Sequence, residues 1–298
     1  MIKKTLKISK KFYIYQKDRF PVFILAFSLF PAILSSGAIT SSCPTFFEMS
    51  LALIASIAYL LHIRIIDEHR DFEHDNTHHI KRPVQAGVIS KEELRYIDTL
   101  AVLILLGIGL SSGTSALVVV ITMLGYSYLA GKEFFIGEKI RKYFFTYNAV
   151  NLFQMLLMQV FVYAIFANPL QVNKLLIAHF LFTTIGTIVF EFVRKLKIPG
   201  DDGSGKDTYT WYLGFKRSIV IYQILLLLNS LLFFWVATFI SSNVVMLTSF
   251  AVGMVLLASL STLIHSIKKT RQTDQLMQLS FLLLYGVFNI AIYFLSTT

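Results

Sequence analysis

Three aspartates, Asp67, Asp71 and Asp75, follow one another at four-residue intervals in the string DEHRDFEHDNTHHIKRPVQAGVIS, residues 67–90. A helix turns 100° per residue, so each carboxylate advances only about 40° around the axis and all three line one stripe. Hard oxygen donors on one stripe suit Mg2+, which is bound through one or two carboxylates together with substrate phosphates. Arg82 offers a planar fork to phosphate oxygens and Lys81 a point charge. Pro83 and Gly87 shape the turn that follows. A carboxylate stripe followed by fixed cations is what a metal-bound diphosphate needs. The plainer reading is a solvated loop in which acids and bases alternate for solubility.

A second polar stretch, EFVRKLKIPGDDGSGKDTYTWYLG, begins at Glu191 after the apolar run LLIAHFLFTTIGTIVF. Glu191 is either a metal ligand or half of an i,i+4 pair with Lys195, worth a few tenths of a kcal/mol. Asp201 and Asp202, beside glycines and Lys206, are the other candidates for a second metal. Spacing leaves the choice between them open. A third cluster, GYSYLAGKEF, holds Lys132, which either snorkels to headgroups or meets the diphosphate. Asn148 and Asn151, near the start of the next apolar run, either bond between helices or help hold the diphosphate.

The elements that position these groups are read from composition. Of 298 residues, 55% are hydrophobic and 15% charged, against about 25% charged in average soluble chains. The mean hydropathy is +0.66. Apolar runs at about 20–39, 46–66, 96–113, 114–131, 144–167, 174–193, 219–240, 244–264 and 277–296 predict an all-α, multi-pass bundle of about nine transmembrane helices. Ser90 with Glu93 forms a capping box for the third. Residues 1–19, rich in lysine, form a basic interfacial segment ahead of a membrane domain over 20–298. The single cysteine, Cys43, excludes an intramolecular disulfide.

Charge sorting orients the bundle. With the N-terminus cytoplasmic, segments 1–19, 64–95, 132–142, 194–217 and 265–276 hold every Lys and Arg except Lys174, as the positive-inside rule requires. The net charge of +10 is then a topology signal and an attraction to anionic membrane lipids, not a nucleic-acid surface. The two long polar loops stand four helices apart, which suggests an internal duplication.

Asp71-x3-Asp75, Arg82-Pro83-x3-Gly87, the second loop four helices later and the Asp18-Arg19-Phe20-Pro21 entry to the first helix together resemble the UbiA-type intramembrane prenyltransferases. The resemblance spans most of the chain. It implies Mg2+-dependent transfer of a prenyl group from a prenyl diphosphate to an aromatic or other lipid-precursor acceptor. On it, Asp71, Asp75 and Glu191 are the catalytic acids, and Asp67, Asp201 and Asp202 are further metal ligands. Lys81, Arg82, Lys132, Asn148, Arg194, Lys195 and Lys206 then contact the diphosphate. Asp67 stands where many members have asparagine. Glu191 and Lys195 replace the familiar second pair of aspartates, while Arg194, Thr208 and Tyr209 match a variant form.

Two other functions fit parts of the same sequence. His74-x3-His78-His79, with His69 nearby, matches one box of membrane di-iron hydroxylases, but His62, His179 and His265 stand isolated. A transporter would also use ionisable groups in the membrane, yet here the acids gather at one face.

Overall fold

The computed structural model describes residues 2–41, 44–198, 208–241 and 244–297. Among them the ordered elements are helical: α1 (Ile2–Arg19), α2 (Val22–Thr40), α3 (Phe46–Arg70), α4 (Phe72–His78), α5 (Lys91–Ser111), α6 (Thr114–Gly131), α7 (Gly137–Ile140), α8 (Phe144–Phe166), α9 (Lys174–Arg194), α10 (Tyr209–Leu213), α11 (Phe215–Ile240), α12 (Val244–Lys268) and α13 (Arg271–Thr297). Nine described helices are long and apolar enough to cross a membrane. In hydrocarbon every backbone N–H and C=O must be satisfied within its own segment, and helices do this.

The helices overrun the apolar runs on the charged side. α5 starts at Lys91 because Ser90 and Glu93 form the expected reciprocal capping box, and α3 continues through the charged residues to Arg70. Thr45 and Glu48 make a second capping box at the start of α3. At the other end of α5, Gly113 adopts φ 101°. A Cβ there would lie 1.9 Å from Asn168 Nδ2, so this tight reversal into α6 takes glycine.

The chain divides into two compact units, Met1–Ile33 with Thr45–Leu170, and Leu34–Pro44 with Gln171–Thr298. In the first, small residues on α3 (Ala52, Ala55, Ala58) pack among Leu105, Val120 and Phe161 of α5, α6 and α8. Close backbone approach through small residues is how helices associate in lipid. Tyr59 bonds Ser127 at 2.9 Å across this core. α1 is tied to the same unit by Lys11–Glu93 at 2.7 Å and Arg19–Glu68 at 2.9 Å, with Tyr15 fully buried.

The second unit packs aromatics instead. Phe233 stacks on Phe288 with centroids 4.0 Å apart, and Phe182 lies 5.4 Å from Tyr285. Asn229 donates to the Phe182 carbonyl at 2.8 Å. His179 meets the Ser35 hydroxyl at 2.9 Å, and Ser35 in turn donates to Asn289 at 2.6 Å. Asn229, His179, Ser35 and Asn289 each make at least one hydrogen bond here, which offsets the cost of burying them in apolar surroundings.

Candidate active site

The aspartate stripe bends where it reaches the end of α3. Asp71 has ψ 9° and separates α3 from α4, so the three carboxylates do not share one uninterrupted helix. The i→i−4 bonds persist across the bend, Asp71 N to Asp67 O and Asp75 N to Asp71 O both at 2.9 Å. Aspartate is a weak helix former that favours ends, and the register of the stripe survives.

Arg70, which the sequence reading did not single out, organises the first two acids. Its Nη2 lies 2.8 Å from Asp67 Oδ1 and 3.1 Å from Asp71 Oδ2, while Nε meets Asp71 Oδ1 at 3.1 Å. Two carboxylates thus converge on one cationic nitrogen. The guanidinium is only 9% exposed and sits 5.6 Å over the Tyr147 ring. Asp75, 3% exposed, is held by Arg82 Nη1. The loop that presents Arg82 is closed by Ala86 N to Arg82 O at 2.8 Å and Val88 N to Pro83 O at 2.9 Å. Gly87 turns it at φ 72°, the left-handed conformation that glycine adopts freely. Lys81 is exposed beside it.

Glu68, also passed over in the sequence, is buried between Arg19 at 2.9 Å and Arg64 at 3.2 Å. Its i,i+4 spacing from Arg64 was legible, whereas the Arg19 partner comes from α1. This acid anchors α1 under the aspartates and is spoken for by two cations.

Lys132 caps α6 and is exposed. It shares a cavity of about 280 Å3 with Arg70, His69, Arg95, Asp98 and Tyr128, which brings it to the same end of the unit as the first motif. Asp98 there also accepts a hydrogen bond from His62 Nδ1 at 2.7 Å. Directly after Lys132, Glu133, Phe134 and Phe135 take φ of 50°, 54° and 59°. Left-handed backbone costs non-glycine residues about 1–2 kcal/mol each. The Arg141–Glu133 ion pair at 2.6 Å braces this turn, and its hydrogen bond raises the Arg141 pKa above the ordinary value. Asn148 is buried and its amide donates to the Phe144 carbonyl at 2.8 Å. Asn151 makes the same i−4 bond to Tyr147 at 3.1 Å.

In the second unit, Glu191 carries both cations of its own helix end. Arg194 Nη2 approaches it at 2.7 Å and Lys195 Nζ at 2.9 Å, so the expected i,i+4 pair forms and a guanidinium joins it. Tyr209 stacks on Phe192 with centroids 4.3 Å apart, and its N–H donates to the Lys195 carbonyl at 3.2 Å. Burial first, then the nearby Glu191 carboxylate, push the Tyr209 hydroxyl up to about 12. The chain therefore returns to the end of α9 after the polar loop. Asp201, Asp202 and Lys206 lie outside the described residues.

Of the histidines, His265 bonds Thr273 at 2.9 Å, and like His62 and His179 it is engaged locally. Among the described residues, one group has metal-ligand spacing: His74, Asp75 and His79. Partial desolvation, with Arg82 beside it, holds the His79 pKa below the ordinary imidazole value.

A UbiA homologue from Archaeoglobus fulgidus bound to DMAPP and Mg2+ superposes with a TM-score of 0.61 at 15% identity, covering 95% of this chain and 98% of its own. A homologue from Aeropyrum pernix K1 gives 0.64 at 14% identity, covering 91% and 98%. A digeranylgeranylglyceryl phosphate synthase gives 0.58 at 16%, covering 95% and 99%. At such identities these likenesses speak for the fold. A search of curated proteins gave no significant match. The sequence itself matches the profile of the UbiA prenyltransferase family over residues 25–282. The chain belongs to the UbiA prenyltransferase family.

Proposed function

We propose that this chain transfers a prenyl group from a prenyl diphosphate to an aromatic or other lipid-precursor acceptor within the membrane. Asp71 and Asp75 act with Mg2+, and the polar loops lie on the cytoplasmic face. The observation that carries the reading is the Arg70 bridge. One nitrogen within reach of both Asp67 and Asp71 marks a cation position already shared by two hard oxygen donors, which fits Mg2+. The relatives bound to DMAPP or GPP together with Mg2+ support the same substrate class.

When bound, Mg2+ neutralises the diphosphate leaving group. The chain's own residues do the rest. Arg70 orients Asp67 and Asp71, and Arg82 orients Asp75. A guanidinium carries five N–H donors, so Arg82 can hold Asp75 and still bind phosphate oxygens, with Lys81 and Lys132 adding charge. Asn148 can orient the diphosphate through its amide. As the allylic C–O bond breaks, positive charge grows on the prenyl carbon. Aromatic faces such as Tyr147 stabilise such a cation by up to ~2 kcal/mol each when water is kept out. The acceptor then attacks and loses a proton.

Glu191 takes the place of the second acidic motif, with Arg194, Lys195 and Lys206 as its phosphate contacts. Glu191→Ala is expected to weaken the Mg2+ requirement ~10-fold in a metal titration of activity. An unchanged titration would move the role to Asp201 or Asp202. The reading as a whole is tested by product formation. Membranes holding the chain should convert a labelled prenyl diphosphate into a labelled lipid and free diphosphate. A transporter would instead move solute without releasing diphosphate.

A further inference from the structure

His74, Asp75 and His79 each present one ligand atom, and these atoms lie within 4.8 Å of one another. The arrangement is built by α4. His79 is its C-cap, and the His79 N–H bonds the Asp75 carbonyl at 2.8 Å, which fixes the two residues on one side of the turn. His74 is the neighbour that completes the group, and the His78 ring lies over it at 4.5 Å. Both ligand histidines are exposed, while Asp75 is buried.

A tetrahedral ion with bonds of 2.0–2.1 Å draws its donors to about 3.3 Å apart. Rotation of two exposed imidazoles can supply the difference, since the carboxylate between them is fixed by Arg82. Arg82 engages Asp75 through Oδ2, so Oδ1 is the oxygen left to coordinate. A ligating carboxylate held by an outer hydrogen bond is the usual arrangement of a formed metal site. Two imidazoles and a carboxylate select a borderline ion over Mg2+, whose preferred ligands are all oxygen.

We propose that His74, Asp75 and His79 form a binding site for a divalent transition metal of the Zn2+ class, with a fourth position open to solvent. The site stands on its own geometry. Its consequence rests on the proposed function: Asp75 belongs to both sites, so a metal held there competes with Mg2+ and diphosphate and inhibits transfer.

The test uses the full-length protein in detergent, without an added histidine tag, in excess Mg2+, with Co2+ as a spectroscopic probe. The wild-type protein should bind one Co2+ with visible tetrahedral absorption that Zn2+ removes. His74→Ala and His79→Ala, both changes at exposed positions, should each lower Co2+ affinity at least ~10-fold. A wild-type protein without these bands, or variants that bind as well as wild type, would overturn the proposal. In the transfer assay, Zn2+ inhibition should be weaker in both variants, and equal inhibition in all three proteins would overturn the competition. Histidine-dependent Co2+ binding in a protein that transfers no prenyl group would uphold the site and remove only the proposed function.

Discussion

Asp71→Ala and Asp75→Ala are each expected to lower prenyl transfer at least ~100-fold, the scale on which removal of one electrostatic stabiliser acts. The two variants differ in what else they break. Asp75 is 3% exposed, and its loss leaves the Arg82 guanidinium without a buried, charge-assisted partner, at a cost of about 1–3 kcal/mol. Asp71 is 35% exposed at its side chain, and Arg70 keeps Asp67 when Asp71 is gone, so its removal costs about 0–1 kcal/mol. Asp71→Ala is therefore the cleaner variant, with lost activity and a thermal midpoint near wild type. Asp75→Ala should lose activity and melt lower. Rate measurements paired with thermal unfolding in detergent separate the two effects. Full activity in both variants would remove these aspartates from the mechanism.

Removing divalent metal should have a comparable effect for a different reason. Without it, the diphosphate meets Asp67, Asp71 and Asp75 as like charges. Two unit charges 4 Å apart interact by about 4 kcal/mol at an effective dielectric of 20, which opposes binding as well as departure of the leaving group. Chelation with EDTA is expected to cut transfer more than ~100-fold, with recovery on adding Mg2+. Direct binding of a labelled prenyl diphosphate should fall in parallel. Transfer that continues at full rate in EDTA would contradict the metal role.

Arginine pairing explains why the site was only partly legible. Asp71-x3-Asp75 and Arg82-Pro83 stand out because both depend on short spacing, which sequence displays directly. Arg70 was hidden among alternating charges. Its two bonds depend on side-chain direction at the bend of Asp71, and a helical wheel drawn through an unbroken helix does not contain that bend. Glu68 was hidden because its partner Arg19 is far away in the chain and meets it only after α1 packs. The left-handed turn at Glu133–Phe135 has no glycine at its three positive-φ positions, so residue type does not mark it. The spans were read well because hydrocarbon imposes length and apolarity together. Their ends were read short on the charged side, where α5 and α13 start earlier than the apolar windows. Hydropathy falls off before hydrogen bonding does. The Ser90–Glu93 box was legible from the same local chemistry that Thr45 and Glu48 display, and the second pair went unread beside an apolar run.

Prenyl transfer leaves a covalent product. The most direct measurement is mass spectrometry of lipids from three membranes given an isotope-labelled prenyl diphosphate and Mg2+: one with the wild-type chain, one with Asp71→Ala and one without the protein. A prenylated lipid carrying the label, formed with an equal amount of free diphosphate, is expected in the first membrane alone. Identical labelled lipids in all three, or intact prenyl diphosphate throughout across a panel of aromatic and lipid-precursor acceptors, would contradict prenyl transfer by this chain.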